Sequence, residues 1–168
     1  KPAAKPIKID GSELVFDDVH FAYGDRPILK GVSFTVEPGN RLAIVGPSGS
    51  GKTTISRLLF RFYDPVSGTV CLDGQDLRDV TQASVRAAIG VVPQDTVMFN
   101  STIGYNIGYG RNGASQDDIA AASKMASIDQ FIAGLPDGYD TMVGERGLKL
   151  SGGEKQRVAI ARAILKKP

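Results

Sequence analysis

Gly46-Pro47-Ser48-Gly49-Ser50-Gly51-Lys52-Thr53 is the stretch from which the rest of the chain is read. It fits the pattern G-x-x-x-x-G-K-[ST], in which glycines let backbone amides close around a phosphate and the lysine adds a point charge. Ahead of it lies an apolar run, Arg41-Leu42-Ala43-Ile44-Val45, whose reading is a buried strand. Behind it, residues 54–62 place apolar side chains at 55, 58, 59 and 62, the spacing of a helix. Strand, loop and helix in that order present loop amides and a helix N-terminus to the same anion. A glycine-rich turn of purely structural use would share the composition, but not the placement between strand and helix. The expectation is a nucleoside triphosphate gripped at this loop.

The remaining composition sets bounds. At 168 residues the chain is one domain or a large part of one. Its apolar content of 42% and charged content of 23% are ordinary for a globular protein. The net charge of +2 gives no general attraction to nucleic acid or to a membrane surface. No apolar run reaches the roughly 20 residues that span a bilayer, and no secretory signal follows Lys1. The single cysteine, Cys71, has no internal disulfide partner, and its apolar neighbours give it the reading of a small core residue.

Residues 1–11 are rich in Lys and Pro and are expected to be a linker. Residues 14–23 alternate as a half-buried strand, with Val15, Val19, Phe21 and Tyr23 on one face and Asp18 and His20 on the other. A turn at 24–27, a strand at 32–36, a strand at 69–72, a helix at 83–88 and a buried strand at 89–92 follow. From Asp95 to Leu150 the character becomes helical. Ser115 and Asp118 are spaced to cap one helix whose inner side carries Ile119, Ala122 and Ala126, and residues 128–135 suggest another. This part reads as a small helical subdomain inserted into an α/β core.

A second informative stretch, Leu150-Ser151-Gly152-Gly153-Glu154-Lys155-Gln156, opens the last helix. Ser151 and Glu154 have capping-box spacing. That accounts for neither glycine, since both weaken a helix. Paired glycines suit a helix start that a ligand must approach closely, where the dipole favours an anion.

Continued through Arg157 to Ala163, this stretch resembles the signature sequence of ABC transporter ATPases. The loop at 46–53 is then similar to the family's Walker A motif, Val91-Val92-Pro93-Gln94 to its Q-loop, and Phe21-Ala22-Tyr23 to its A-loop. Val143-Gly144-Glu145-Arg146-Gly147 resembles the exporter loop that touches the membrane domain. Residues 60–64, 80–86 and 94–100 are similar to exporters of the mitochondrial half-transporter type, whose bacterial relatives are linked to heavy-metal or glutathione-derived cargo. The resemblance implies an α/β fold. Its P-loop NTPase core carries an antiparallel β subdomain and an inserted helical subdomain at about 95–150, and residues 12–168 form the N-terminal part of an ABC-type nucleotide-binding domain.

It also implies roles. Lys52 contacts the β- and γ-phosphates of ATP; Gly46, Pro47, Ser48, Gly49, Ser50 and Gly51 supply the backbone cradle; Thr53 holds Mg²⁺; Thr54 lies near the α-phosphate. Gln94 reaches the metal and the attacking water, and Tyr23 stacks on adenine, although Tyr23 also continues the core face of its strand. Ser151, Gly152, Gly153 and Glu154 meet the ATP of a second nucleotide-binding domain in a head-to-tail dimer. The other implied partner is the transmembrane domain of the same transporter, not nucleic acid. The implied place is the cytoplasmic face of a membrane: the inner membrane if bacterial, the matrix side if mitochondrial.

The family's Walker B strand, with its Asp and Glu, and its switch histidine are expected beyond Pro168. Leu14–Asp17 and Val70–Asp73 end in Asp but read as outer strands, and His20 does not match the switch position. The fold is therefore expected to be incomplete at its C-terminus, with little turnover alone. A soluble ABC protein of translation or DNA repair, a binding module without catalysis and a P-loop metabolic kinase are the alternatives. The 143–147 loop argues against the first and the signature helix against the last.

Overall fold

The computed structural model describes residues 4–168; Lys1–Ala3, the start of the segment expected to be a linker, lie outside the described residues. The chain divides between Ile89 and Gly90 into two compact units.

The first unit is built on an antiparallel sheet. Strands β1 (Leu14–Tyr23) and β2 (Arg26–Val36) form a hairpin closed by the two-residue turn Gly24-Asp25. Strand β3 (Ser67–Leu72) pairs with the other edge of β1, and the short β4 (Gln75–Asp76) follows it, giving the order β2-β1-β3-β4. The alternation expected along β1 is interrupted. Phe16 and Val19 are both buried although three residues apart, because Asp17 and Asp18 form a bulge with Asp18 at φ 43°. The buried residue of that half of the strand is thus Phe16, stacked on Phe34 at 4.6 Å, and not Val15. Gly68 sits against the bulge at φ 80°, where any Cβ would run into the carbonyls of Asp17 and Asp18. Cys71 is half-buried in β3, and desolvation pushes its thiol pKa up, which suits a packing role.

Helices α1 (Lys52–Leu59) and α2 (Gln82–Ala88) complete this unit. Leu58 of α1 and Val85 of α2 join Phe16, Val19 and Leu29 in one core. The segment from Lys5 to Glu13 is tied down along its length. Lys5 bridges Val80, Lys8 exchanges hydrogen bonds with the Gln75 amide, and the Asp73 carboxylate accepts from the backbone of Asp10 (2.7 Å), Gly11 (2.9 Å) and Glu13 (2.7 Å). The Ser12 backbone first, then those of Gly11, Asp10 and Glu13, hold the Asp73 pKa down at about 2 against desolvation.

The second unit is mainly helical. A two-stranded ladder, β5 (Ser101–Thr102) with β6 (Met142–Val143), accompanies helices α3 (Ile103–Gly108), α4 (Gln116–Met125), α5 (Asp129–Ala133) and α6 (Gly152–Leu165). Ser115 and Asp118 form a reciprocal capping box on α4, and Ile119, Ala122 and Ala126 are buried as the spacing required. Ile103, Ile107 and Val158 are fully buried at the centre of this core.

Two expected strands are not formed. Residues 41–45 lack secondary structure and are exposed, Val45 by 87%; residues 89–92 likewise form no strand, and Val91 and Val92 are exposed. The apolar runs are real, but a strand buried on both faces needs neighbours to complete its ladder. Among the described residues no strand lies beside either run.

Candidate functional site

The site is built where β1 ends and α1 begins. Gly51 is the N-cap of α1 at φ 95°, and a Cβ there would lie 2.7 Å from the Leu29 side chain. With glycine at the cap there is no side-chain hydrogen bond to the helix, and no acidic residue stands in the first turn. The opening amides of α1 therefore keep their donors and the positive end of the dipole free for an anion. The preceding loop turns through a Ser50 N–H to Pro47 carbonyl bond at 3.2 Å. Lys52 folds back over this loop, its Nζ donating to the carbonyls of Gly46 (2.6 Å) and Pro47 (2.8 Å). The ammonium is thus held at the loop mouth by neutral acceptors that a phosphate oxygen would outcompete.

A cavity of about 520 Å³ opens beside the loop, lined by Tyr23, Arg26, Ser48, Gly49, Lys52 and Thr53, with Thr54. Tyr23 is half-buried at the end of β1, edge to face with Phe21 (4.9 Å) and Tyr63 (5.4 Å). Its hydroxyl accepts from Arg57 Nη1 at 2.8 Å. That bond is the chief reason its pKa lies below the ordinary tyrosine value; desolvation opposes it, and Thr54 adds a smaller lowering. The structure therefore brings Tyr23 to the loop that precedes α1, while its ring also packs against the core of the first unit. A larger cavity of about 680 Å³, in the second unit beside Tyr105, Tyr109 and Arg111, has no lysine along its wall.

The donors present fit a metal–triphosphate complex in kind. Among the described residues no three carboxylates, histidines or cysteines converge as a metal cage. Mg²⁺ typically takes few protein ligands and completes its shell with phosphate oxygens and water. The exposed Thr53 hydroxyl at the start of α1 is the donor in this unit that suits such a role.

The other expected residues belong to the second unit. Gln94 is exposed in a bend. Ser151 caps α6, its Oγ accepting from Glu154 N–H at 3.3 Å while Glu154 Oε2 accepts from Ser151 N–H at 2.7 Å. Gly152 and Gly153 are exposed, and a Cβ on either would meet nothing within 4 Å. Internal crowding thus does not require these glycines.

Two polar pairs escaped sequence reading. Arg57 is one of several exposed charged residues and carries no motif of its own. Asn106, fully buried, accepts from Phe99 N–H (2.9 Å) and from Arg162 Nη2 (2.6 Å), and donates to the carbonyls of Phe99 and Thr102. Arg162 also donates to the carbonyls of Asn106 and Val97, so it fastens α6 to the segment leading into α3. A lone Asn on the apolar side of a helical pattern was the one available signal.

Comparison with known proteins gives a consistent picture. Residues 29–168 match the family model described as ABC transporter. The chain is 62% identical over 168 residues to an ATM1-type heavy metal exporter of Novosphingobium aromaticivorans, covering 99% of this chain and 28% of that protein. It is 61% identical to human ATP-binding cassette sub-family B member 6, covering 99% of this chain and 20% of that protein. A solved bacterial Atm1-family ABC exporter with ATP bound superposes with a TM-score of 0.95 at 62% identity, over 100% of this chain and 30% of its own. The chain thus spans less than a third of the length of each of these relatives.

Proposed function

Because the chain belongs to the ABC transporter family, we propose that it binds ATP with Mg²⁺ and, in a dimeric membrane exporter, hydrolyses the ATP to move a substrate across the membrane. The observation that carries this reading is the start of α1: an N-terminus without side-chain cap, behind a glycine turn, with the Lys52 ammonium resting on two carbonyls at its mouth. The starts of α2, α3, α4 and α6 each carry a side-chain cap, and the uncapped start of α5 has Ile128 rather than a glycine turn at its cap.

On this reading Lys52 exchanges the Gly46 and Pro47 carbonyls for β- and γ-phosphate oxygens, while the amides of 49–54 cradle the phosphates. Thr53 and Gln94 are the residues that would hold Mg²⁺, and the metal when bound would neutralise charge on the β- and γ-phosphates. Gln94 also orients the attacking water, and Tyr23 stacks on adenine. Ser151, Gly152, Gly153 and Glu154 serve the nucleotide of a second domain, arranged head to tail, so that ATP stands between the two. Its cleavage then shifts a two-state assembly. The membrane-facing contacts are assigned to the Gln94 loop and to Val143–Gly147. No helix among the described residues is long and apolar enough to cross a membrane; the spans are assigned to the transmembrane domain of the same transporter. The nucleotide-binding domain is placed on the cytoplasmic or matrix face. The likeness to a heavy metal exporter favours a metal-linked cargo.

Titration calorimetry of ATP into the protein tests the reading. Lys52→Ala is expected to weaken binding about ten- to hundredfold, the worth of hydrogen bonds between charged partners. Unchanged affinity would overturn the assignment.

A further inference from the structure

Tyr23 sits immediately before the Gly24-Asp25 turn, at the tip of the β1–β2 hairpin. A hairpin tip is a poor place to fix an aromatic ring, because loop ends open most easily. Three contacts steady this one. Phe21, on the same strand, and Tyr63, beyond α1, pack near-perpendicular to it. The third is Arg57, whose Nη1 donates to the phenol oxygen at 2.8 Å while its guanidinium carbon lies 6.0 Å from the ring centroid. Of the three, only Arg57 grips the polar end of the ring; it does so from α1, where the Thr54 side chain adds a weaker hydrogen bond to the same hydroxyl.

That origin matters. Lys52, Thr53 and Thr54 form the first turn of α1, and Arg57 follows Thr54 by three residues, on the same face of the helix. An α-helix advances 1.5 Å per residue and does not stretch. One rigid element therefore carries both the phosphate-binding turn and the arm that holds the aromatic ring. We propose that Arg57 is a positioning residue for the nucleotide base: through the Tyr23 hydroxyl it fixes the stacking ring at a set distance from the phosphate cradle. This rests on the reading above that Tyr23 stacks on adenine. It assigns Arg57 no contact with phosphate, so Arg57 should favour a nucleotide that carries a base and be indifferent to a bare polyphosphate.

The experiment compares ATP with inorganic tripolyphosphate by titration calorimetry, in the wild-type protein and in Arg57→Ala, Tyr23→Phe, the double variant and Tyr23→Ala. Loss of one hydrogen bond to a charged donor at a partly exposed site should weaken ATP binding about three- to tenfold in Arg57→Ala, with tripolyphosphate changed by less than about twofold. Tyr23→Phe keeps the ring and removes the hydroxyl, so it should reproduce the ATP loss. In that background Arg57→Ala should add nothing. Equal loss for both ligands would make Arg57 a support of α1 and overturn the proposal, as would additive losses in the double variant. If Tyr23→Ala left ATP affinity unchanged, the stacking reading itself would fall, and the proposal with it.

Discussion

The start of α6 poses a choice that one residue can decide. Ser151 is an N-cap and, in the proposed mechanism, also a ligand for the γ-phosphate of a partner domain. As a cap it has extended backbone, φ −62° and ψ 163°, and its Oγ receives the Glu154 N–H at 3.3 Å. That is longer than the usual 2.9–3.0 Å, so Ser151→Ala should cost about 0.5–1 kcal/mol, at the low end for lost caps. For a chain of this size the melting temperature should fall by no more than about 4 °C. Asp caps as well as Ser, and its gain from the helix dipole offsets repulsion by the nearby Glu154 carboxylate, so Ser151→Asp should melt close to the wild type. Its effect on turnover should be the reverse. A carboxylate about 4 Å from one phosphate charge is repelled by about 4 kcal/mol at an effective dielectric constant of 20, close to a thousandfold. Stability should therefore run Ser and Asp above Ala, whereas ATP turnover runs Ser above Ala, with Asp far below. Melts are read by far-UV circular dichroism without nucleotide, and turnover by phosphate release from the assembled transporter. If turnover simply followed stability, with Asp as active as Ser, then Ser151 would be a cap alone and the signature helix would have lost its proposed ligand.

Two further perturbations probe the frame. The Asp73 carboxylate, held at about pKa 2 against an ordinary 3.8 by backbone donors, should stabilise the fold fully above about pH 4 and lose that contribution as pH falls toward 2. The difference in melting temperature between wild type and Asp73→Ala should accordingly be largest at neutral pH and smaller at pH 3; a pH-independent difference would refute the linkage. Asn106→Leu strands the Phe99 N–H and one guanidinium N–H of Arg162, so a urea titration should show a loss of about 2–4 kcal/mol. A loss below about 1 kcal/mol would show that water replaces Asn106 cheaply.

What could be read from the sequence was local. The glycine loop, the capping boxes at Ser115 and Ser151 and the inner face of α4 depend on neighbours within four residues. What could not be read depended on distant partners. The runs 41–45 and 89–92 declare a wish for burial, but a strand is a property of a pair. The bulge at Asp17 and Asp18 moved the buried face of β1 because β3 approaches there with Gly68, about fifty residues later. The segment 5–11 looked like a linker because Lys and Pro are common in linkers, yet its backbone is claimed by Asp73, Gln75 and Ser84. Arg57 and Arg162 carry no pattern at all; only the fold sets them on Tyr23 and Asn106, 34 and 56 residues away.

The two glycine-bearing helix starts differ in a way that bears on assembly. At α1 neither a side chain nor an acidic residue occupies the first turn, so its donors can take an anion unaided. At α6 the Glu154 amide is already spent on Ser151, and the Glu154 carboxylate lies over the Ser151 N–H. That carboxylate opposes a free anion. By itself α6 is therefore a weak phosphate site, although Gly152 and Gly153 leave its approach open. Such a site gains affinity when a ligand arrives already bound and partly neutralised, because the translational cost of capture has then been met elsewhere. In the proposed head-to-tail dimer the nucleotide comes to α6 held by the Lys52 loop of the other domain. On that proposal the asymmetry would set an order: α1 would bind first, α6 would close second, and loss of the γ-phosphate charge would release α6 before α1.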